Sequence, residues 1–152
     1  MLGVILVALL SISPWLVSLF GTLLYQPAKK QKLLERESAS ATSGDPLSTL
    51  SKPFSGREIV KFQLVTANVV MSPSWVQLFI GGIVSLFGGE INTFTKVVDW
   101  ARREAKQRLR EQVAEAGFDD VINMRLETTL LTKNREKSAG VEILAYGTAI
   151  KY

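Results

Sequence analysis

A few side chains of this 152-residue chain carry groups that could hold a small ligand. Trp75, Trp100 and Tyr146 offer flat faces for stacking, while Asp119, Asp120 and Glu127 offer carboxylates to a cation. Each has a plainer reading, since large aromatics commonly fill cores and loop carboxylates are commonly solvated. The chain contains no Cys and no His. Disulfides, thiolate or imidazole metal ligands, and Cys or His nucleophiles are therefore out of reach. A metal would have to be held by oxygen, the ligand type of hard cations, and no acidic loop has calcium-binding spacing. Serines and carboxylates occur, but no nucleophile elbow, phosphate-cradling loop or paired base accompanies them. Gly88-Gly89-Glu90 lacks the Lys and spacing of a phosphate loop and reads as a tight helix entry. Neither catalysis nor a cofactor is expected, and no catalytic or metal-binding residue is assigned.

Charge excludes a further class. Lys and Arg number 18 against 14 Asp and Glu, a net charge of +4. From Arg57 onward, 13 basic residues face 11 acidic ones, so only +2 belongs to the C-terminal part. A nucleic-acid footprint normally shows as a clustered basic face. Here the basic residues are interleaved with Glu104, Glu111 and Glu115, and Glu104 and Arg108 are spaced for an i,i+4 pair. Nucleic acid is not an expected partner.

The element that must position these groups runs from Ile91 to Gly117. Ile91, Phe94, Val98, Ala101, Ala105, Leu109, Val113 and Ala116 recur every three or four residues, one stripe of a helix. Asn92 or Thr93 can cap its start, and Gly117 can take the left-handed turn that ends it. Around it the pattern changes to period two. Ile59–Met71 alternates β-branched and aromatic residues with polar ones until Pro73 stops it. Asp120–Thr132 alternates Ile122, Met124 and Leu126 with Asn123, Arg125 and Glu127. After a polar hairpin loop over Lys133–Gly140, Val141–Tyr152 forms a third strand that is largely apolar on both faces. One helix cannot cover both faces of a three-stranded sheet, so a second copy is expected on the other face.

Two further apolar stretches remain. Leu2–Tyr25 is about 24 residues without a charge, long enough to cross a bilayer. It lacks the basic start and cleavage site of a signal peptide, so a retained anchor is expected. Lys29, Lys30, Lys32 and Arg36 follow it, which places the N-terminus outside and the remainder in the cytoplasm. Gln26–Gly56, rich in Ser, Thr, Gly and Pro, reads as a linker, briefly helical near Lys29–Glu37 and a flexible tether beyond Ser38. Pro73–Gly89 is short for a membrane span and reads as a buried or interface helix, with membrane contact as the alternative. Gly81, Ser85 and Gly89 would let another backbone approach it closely.

Val65-Thr66, Gly88-Gly89 before the long helix, Ala116-Gly117-Phe118-Asp119 after it, and Gly147-Thr148-Ala149-Ile150 near the end resemble the YbjQ-like family, also called UPF0145, which carries a heavy-metal-binding label. The resemblance covers Ile59–Tyr152. It implies an α+β, dodecin-like β-α-β-β subunit with an antiparallel three-stranded sheet and one long helix, assembled as a ring of five copies. It implies no established activity and brings no metal ligand set. The chain departs from the family at Ala67, where members have Gly, and at Arg125, in a strand that members make acidic. It departs again over Leu78–Phe87, which is uncharged here, suggesting a surface turned toward bilayer or a protein partner across Trp75–Phe87.

The resulting expectation has three parts: a single-pass inner-membrane anchor over residues 1–25, a linker over 26–56, and a YbjQ-like domain over 57–152. Its function is a membrane-anchored, self-assembling, ring-forming cytoplasmic module. The alternative is an oligomer that binds a small ligand or metal ion between subunits.

Overall fold

In this computed structural model the described residues are 11–13, 16–17, 19–21, 25–41, 44–53, 56–73, 83, 92–134 and 137–152. The chain divides into two units, residues 1–32 with 73–96 and residues 33–72 with 97–152. In the first unit, residues 11–13, 16–17 and 19–20 are helical, and Lys29 Nζ lies 4.8 Å from the centre of the Tyr25 ring. The Trp75–Phe87 surface, apart from Ile83, lies outside the described residues.

The named elements run α1 (Gln26–Ala41), β1 (Lys61–Met71), α2 (Asn92–Glu115), β2 (Asp120–Asn134) and β3 (Lys137–Lys151). The strands form one antiparallel sheet in the order β1-β3-β2. The last strand in sequence is therefore the middle one, which suits its run of small and β-branched residues. On β1 the alternation is clear: Val65, Ala67 and Val69 are buried and the residues between them are exposed. Their β3 partners Gly147, Ala145 and Ile143 are buried too.

The helix α2 presents Val97, Ala101, Ala105, Leu109 and Val113 as its buried stripe. Val97 stands in the stripe where the spacing had Val98, which is half-buried, and Ala116 is exposed beyond the last turn. Gly117 has φ 70°, the left-handed conformation a helix stop requires, and Phe118 N–H reaches back to Val113 O at 3.1 Å. Arg102 Nη2 donates to Thr128 Oγ1 at 3.5 Å, and Arg108 Nη1 donates to the Asn68 carbonyl at 3.2 Å. These bonds tie the helix to the sheet face that holds Val65, Ala67, Val69, Ile143 and Ala145, so the two apolar surfaces make one core. Fully burying a side chain such as Leu109 or Val113 contributes about 1.5–3 kcal/mol.

Two expectations change. The single-pass inner-membrane placement drawn from Leu2–Tyr25 is corrected, because no helix among the described residues is long and apolar enough to cross a membrane. A span needs about 20 consecutive apolar residues. The 16-residue helix that follows the expected anchor is instead polar, with Leu33 its buried residue. Residues 1–10, 14–15, 18 and 22–24 of the expected span lie outside the described residues, and the orientation inferred from it falls with it.

The second change concerns residues 26–56, where a brief helix near Lys29–Glu37 was expected and is present, and a flexible tether was expected beyond Ser38. They hold the whole of α1, and residues 46–50 then run beside β2. The hairpin loop is also shorter than Lys133–Gly140, because β2 reaches Asn134 and β3 begins at Lys137.

Candidate functional site

Of the groups singled out for ligand chemistry, Tyr146 and Glu127 meet, and the structure joins none of the others described to them. Asp119 Oδ2 accepts the Tyr152 N–H at 3.0 Å, and Asp120 pairs through its backbone with Ile150. Glu127 accepts the Tyr146 hydroxyl at 3.2 Å. Asp120 and Glu127 sit seven residues apart on one strand, roughly 20 Å at strand rise. Trp100 is half-buried on α2, Tyr146 is half-buried on the sheet face away from α2, and Trp75 lies outside the described residues. Among the described residues no group of three or more Asp or Glu could hold a metal ion. A groove of about 380 Å³ runs between Asp45–Pro53 and the start of β2. Its wall residue Asp45 is already engaged by Arg110, with bonds of 3.0 and 2.7 Å.

Among the described residues, the fold presents a sheet with one finished edge and one open edge. Beside β2, Val121 N–H donates to Pro46 O at 2.8 Å, and Ser48 N–H donates to Val121 O at 2.8 Å. Asn123 N–H donates to Leu50 O at 2.7 Å, and Met124 N–H donates to Ser48 O at 2.9 Å. Leu47 forms a parallel bridge with Val121. An irregularity between Ile122 and Arg125 makes this possible, with Asn123 at φ 54° and Met124 turned inward and buried. Opposite that bulge a Cβ on Gly147 would lie 2.6 Å from Val121 Cγ1, so β3 must carry glycine there.

Beside β1, no strand among the described residues pairs with the outer edge. The side chains that β1 turns away from α2 include Phe62, Leu64 and Val70, 75%, 67% and 60% exposed. In register with them on β3 stand Ile150, which is fully buried, Thr148 and Glu142, with Leu144 opposite Asn68 on the same face. Across to β2 the same face becomes polar at Arg125 and Glu127. Asn68 Nδ2 bonds to Glu142 Oε1 at 2.6 Å within it. Apolar side chains that large, grouped along one strand, mark a contact surface more often than an ordinary solvent face.

A polar cluster missed by the sequence reading joins α1 to α2. Arg36 donates to Glu111 with bonds of 2.7 and 2.6 Å and to both Glu104 oxygens at 3.1 Å. Arg108 Nε bonds to Glu104 at 2.9 Å, the pair expected at i,i+4. Gln107, almost wholly buried, donates to Arg36 O, Ser40 Oγ and Glu111 Oε1. Glu37 pairs with Arg103. Hydrogen bonds from Arg36, Arg103 and Arg110 hold the carboxyls of Glu111, Glu37 and Asp45 below their ordinary range. A signal was present: Leu33, Arg36, Glu37 and Ser40 recur at helical spacing, a mostly polar stripe facing another polar stripe.

Residues 47–152 match the YbjQ-like family described as "Putative heavy-metal-binding". The chain belongs to that family. UPF0145 proteins are among its similar relatives. One from Photobacterium profundum is 37% identical over 97 residues, covering 63% of this chain and 89% of its own. One from Vibrio campbellii is 38% identical over 97 residues, with 63% and 88% covered. One from Clostridium novyi is 32% identical over 97 residues, with 64% and 89% covered. A solved protein of unknown function from Pediococcus pentosaceus overlaps 69% of this chain and 94% of its own, at 16% identity and a TM-score of 0.43.

The YbjQ-like description and this chain's donor groups do not fit each other. Soft metals select thiolate, and zinc and copper sites commonly add imidazole. This chain has no Cys and no His anywhere in its 152 residues.

Proposed function

We propose that the YbjQ-like domain of this chain is a self-assembling module whose copies join along β1. One observation supports this most: β1 is an 11-residue edge strand with Phe62, Leu64 and Val70 in water, while the opposite edge is capped by the chain itself. An edge of that length with an apolar face is a template for a neighbour unless something covers it. The open face runs from apolar at β1 to charged at Arg125 and Glu127, so a head-to-tail contact that closes as a ring matches its asymmetry better than a face-to-face dimer. The dodecin-like arrangement and the number five come from the family resemblance and belong to this reading. No catalytic step does.

The test is the mass of the purified full chain at micromolar concentration, by light scattering or native mass spectrometry. A particle several times the monomer mass is expected, and a strict monomer overturns the reading.

The family description supplies a second reading, metal binding. With oxygen donors only, it would require carboxylates from neighbouring copies and a hard cation. Thermal unfolding with and without divalent cations tests it; a shift with cadmium or mercury larger than with magnesium or calcium would contradict the oxygen-donor argument.

A further inference from the structure

The contact between Leu33–Ala41 and α2 has no role in the reading above. It lies upstream of residues 47–152, so it is an addition to the family domain. Leu33 is the buried residue of α1, and Leu34 beside it is exposed. The rest of the attachment is charge and hydrogen bonding. Arg36 sits between Glu104 and Glu111, Glu37 meets Arg103, and Gln107 bonds to Arg36 O at 3.2 Å and Ser40 Oγ at 2.9 Å. Past the turn at Gly44, whose φ is 87°, Asp45 meets Arg110.

These attachments differ in kind from the core beneath. Ala101, Ala105, Leu109 and Val113, on the apolar stripe of α2, are buried. A seam of partly exposed ion pairs is worth about 0.2–1 kcal/mol per pair and weakens with salt, as the Debye length falls from about 10 Å at 0.1 M to about 3 Å at 1 M. Apolar burial does not weaken that way; excluded salts strengthen it.

We propose that Leu33–Ala41 is a charge latch, seated on α2 at low ionic strength and released, with the family domain still folded, when salt rises or Arg36 is lost. Release uncovers Glu104, Gln107 and Glu111, which lie at i, i+3 and i+7 on one helix face. Arg36 joins Glu104 and Glu111 through its guanidinium, while Glu104 also holds Arg108.

Hydrogen–deuterium exchange of the full chain at pH 7, in 50 mM and 1 M sodium chloride, tests it. Amides of residues 35–41 are expected to exchange roughly tenfold faster at 1 M salt, while those of 141–150 in β3 hold steady. Arg36→Ala in 50 mM salt should reproduce the loosening, and Arg36→Lys should fall between, since Lys cannot make the two-pronged contact. Acceleration of 35–41 and 141–150 together would make the segment part of one cooperative fold and overturn the latch. Insensitivity of 35–41 to salt would mean that Leu33 alone seats it, which also overturns the latch. The salt series on the unaltered chain decides the matter even where a variant fails to fold.

Discussion

Along β2, the chain lays residues 46–50 against the edge, bends the strand at Asn123 to receive them, and buries Met124 in the process. Along β1 it leaves a straight edge of 11 residues with Phe62, Leu64 and Val70 outward. Both edges belong to the same sheet. The chain has a device for closing an edge and applies it on one side. Natural sheets blunt exposed edges with charge, proline or bulges; in β1 the one charge is Lys61 at its first residue, whose Nζ lies 5.1 Å from the centre of the Phe118 ring. Among the described residues, an edge left open and apolar while its opposite is closed is the observation behind the assembly along β1 proposed above.

The sharpest way to break this contrast is to charge the open side. Replacing Phe62 and Leu64 together by Lys should remove two anchors worth about 2 kcal/mol each when covered. The dissociation constant of the assembly should rise roughly a thousandfold, read by mass at falling concentration. Both side chains point away from α2, so the circular dichroism of the monomer should be unchanged. Unchanged mass would place the contact elsewhere.

On the closed side, Gly147→Ala should be the most damaging small change. The new methyl would meet Val121 Cγ1 at 2.6 Å and Ile122 O at 3.2 Å. Crowding of a packed core costs about 1–3 kcal/mol, which chemical denaturation would report. A neutral result would show that the β2 bulge can shift.

Ser48→Pro is milder and separates the edges further. It removes the N–H that Val121 O accepts at 2.8 Å, at a cost of about 0.5–1.5 kcal/mol. Exchange at the Val121, Asn123 and Met124 amides should quicken while β1 is unaffected. If β1 loosens equally, the two edges are not independent.

Acid gives the smallest effect. Hydrogen bonds from Arg36, Arg103 and Arg110 depress the carboxyls of Glu111, Glu37 and Asp45. For a depressed carboxyl the folded state holds its charge to lower pH than the unfolded chain does. The stabilisation is therefore complete above the ordinary carboxylate range, near pH 4–4.5, and is lost as pH falls through the folded values. These groups are partly exposed and screened, so less than about 1 kcal/mol per pair is at stake. Thermal unfolding between pH 6 and pH 3 should show a modest decline that 1 M salt at pH 6 partly reproduces. A rise on acidification would reverse the sign argued here.

The sequence was legible where one side chain's type fixes a local outcome. The stripe Ala101, Ala105, Leu109, Val113 gave the helix, Gly117 its end, and the alternation of β1 its inward and outward faces. Glu104 and Arg108 gave their own pair. The absence of Cys and His excluded whole classes of chemistry before any coordinate was known. Legibility failed beyond Ser38, because a Ser-rich stretch without apolar period looks like a tether unless its partner surface is known, whereas the helix near Lys29–Glu37 was legible. It failed also for Asp119, Asp120 and Glu127, since proximity in sequence along an extended strand is distance in space.

Local periodicity and composition thus determined the elements of this protein and the metals it cannot hold through thiolate or imidazole, since both follow from the covalent chain alone. Only the tertiary structure decided that β3 lies in the middle, that residues 46–50 close one edge and leave β1 open, and that Arg36 meets Glu104 and Glu111 some 70 residues away. Those outcomes depend on which backbone hydrogen bonds and charges find one another across long loops, and no stretch of sequence contains both halves of such a pair.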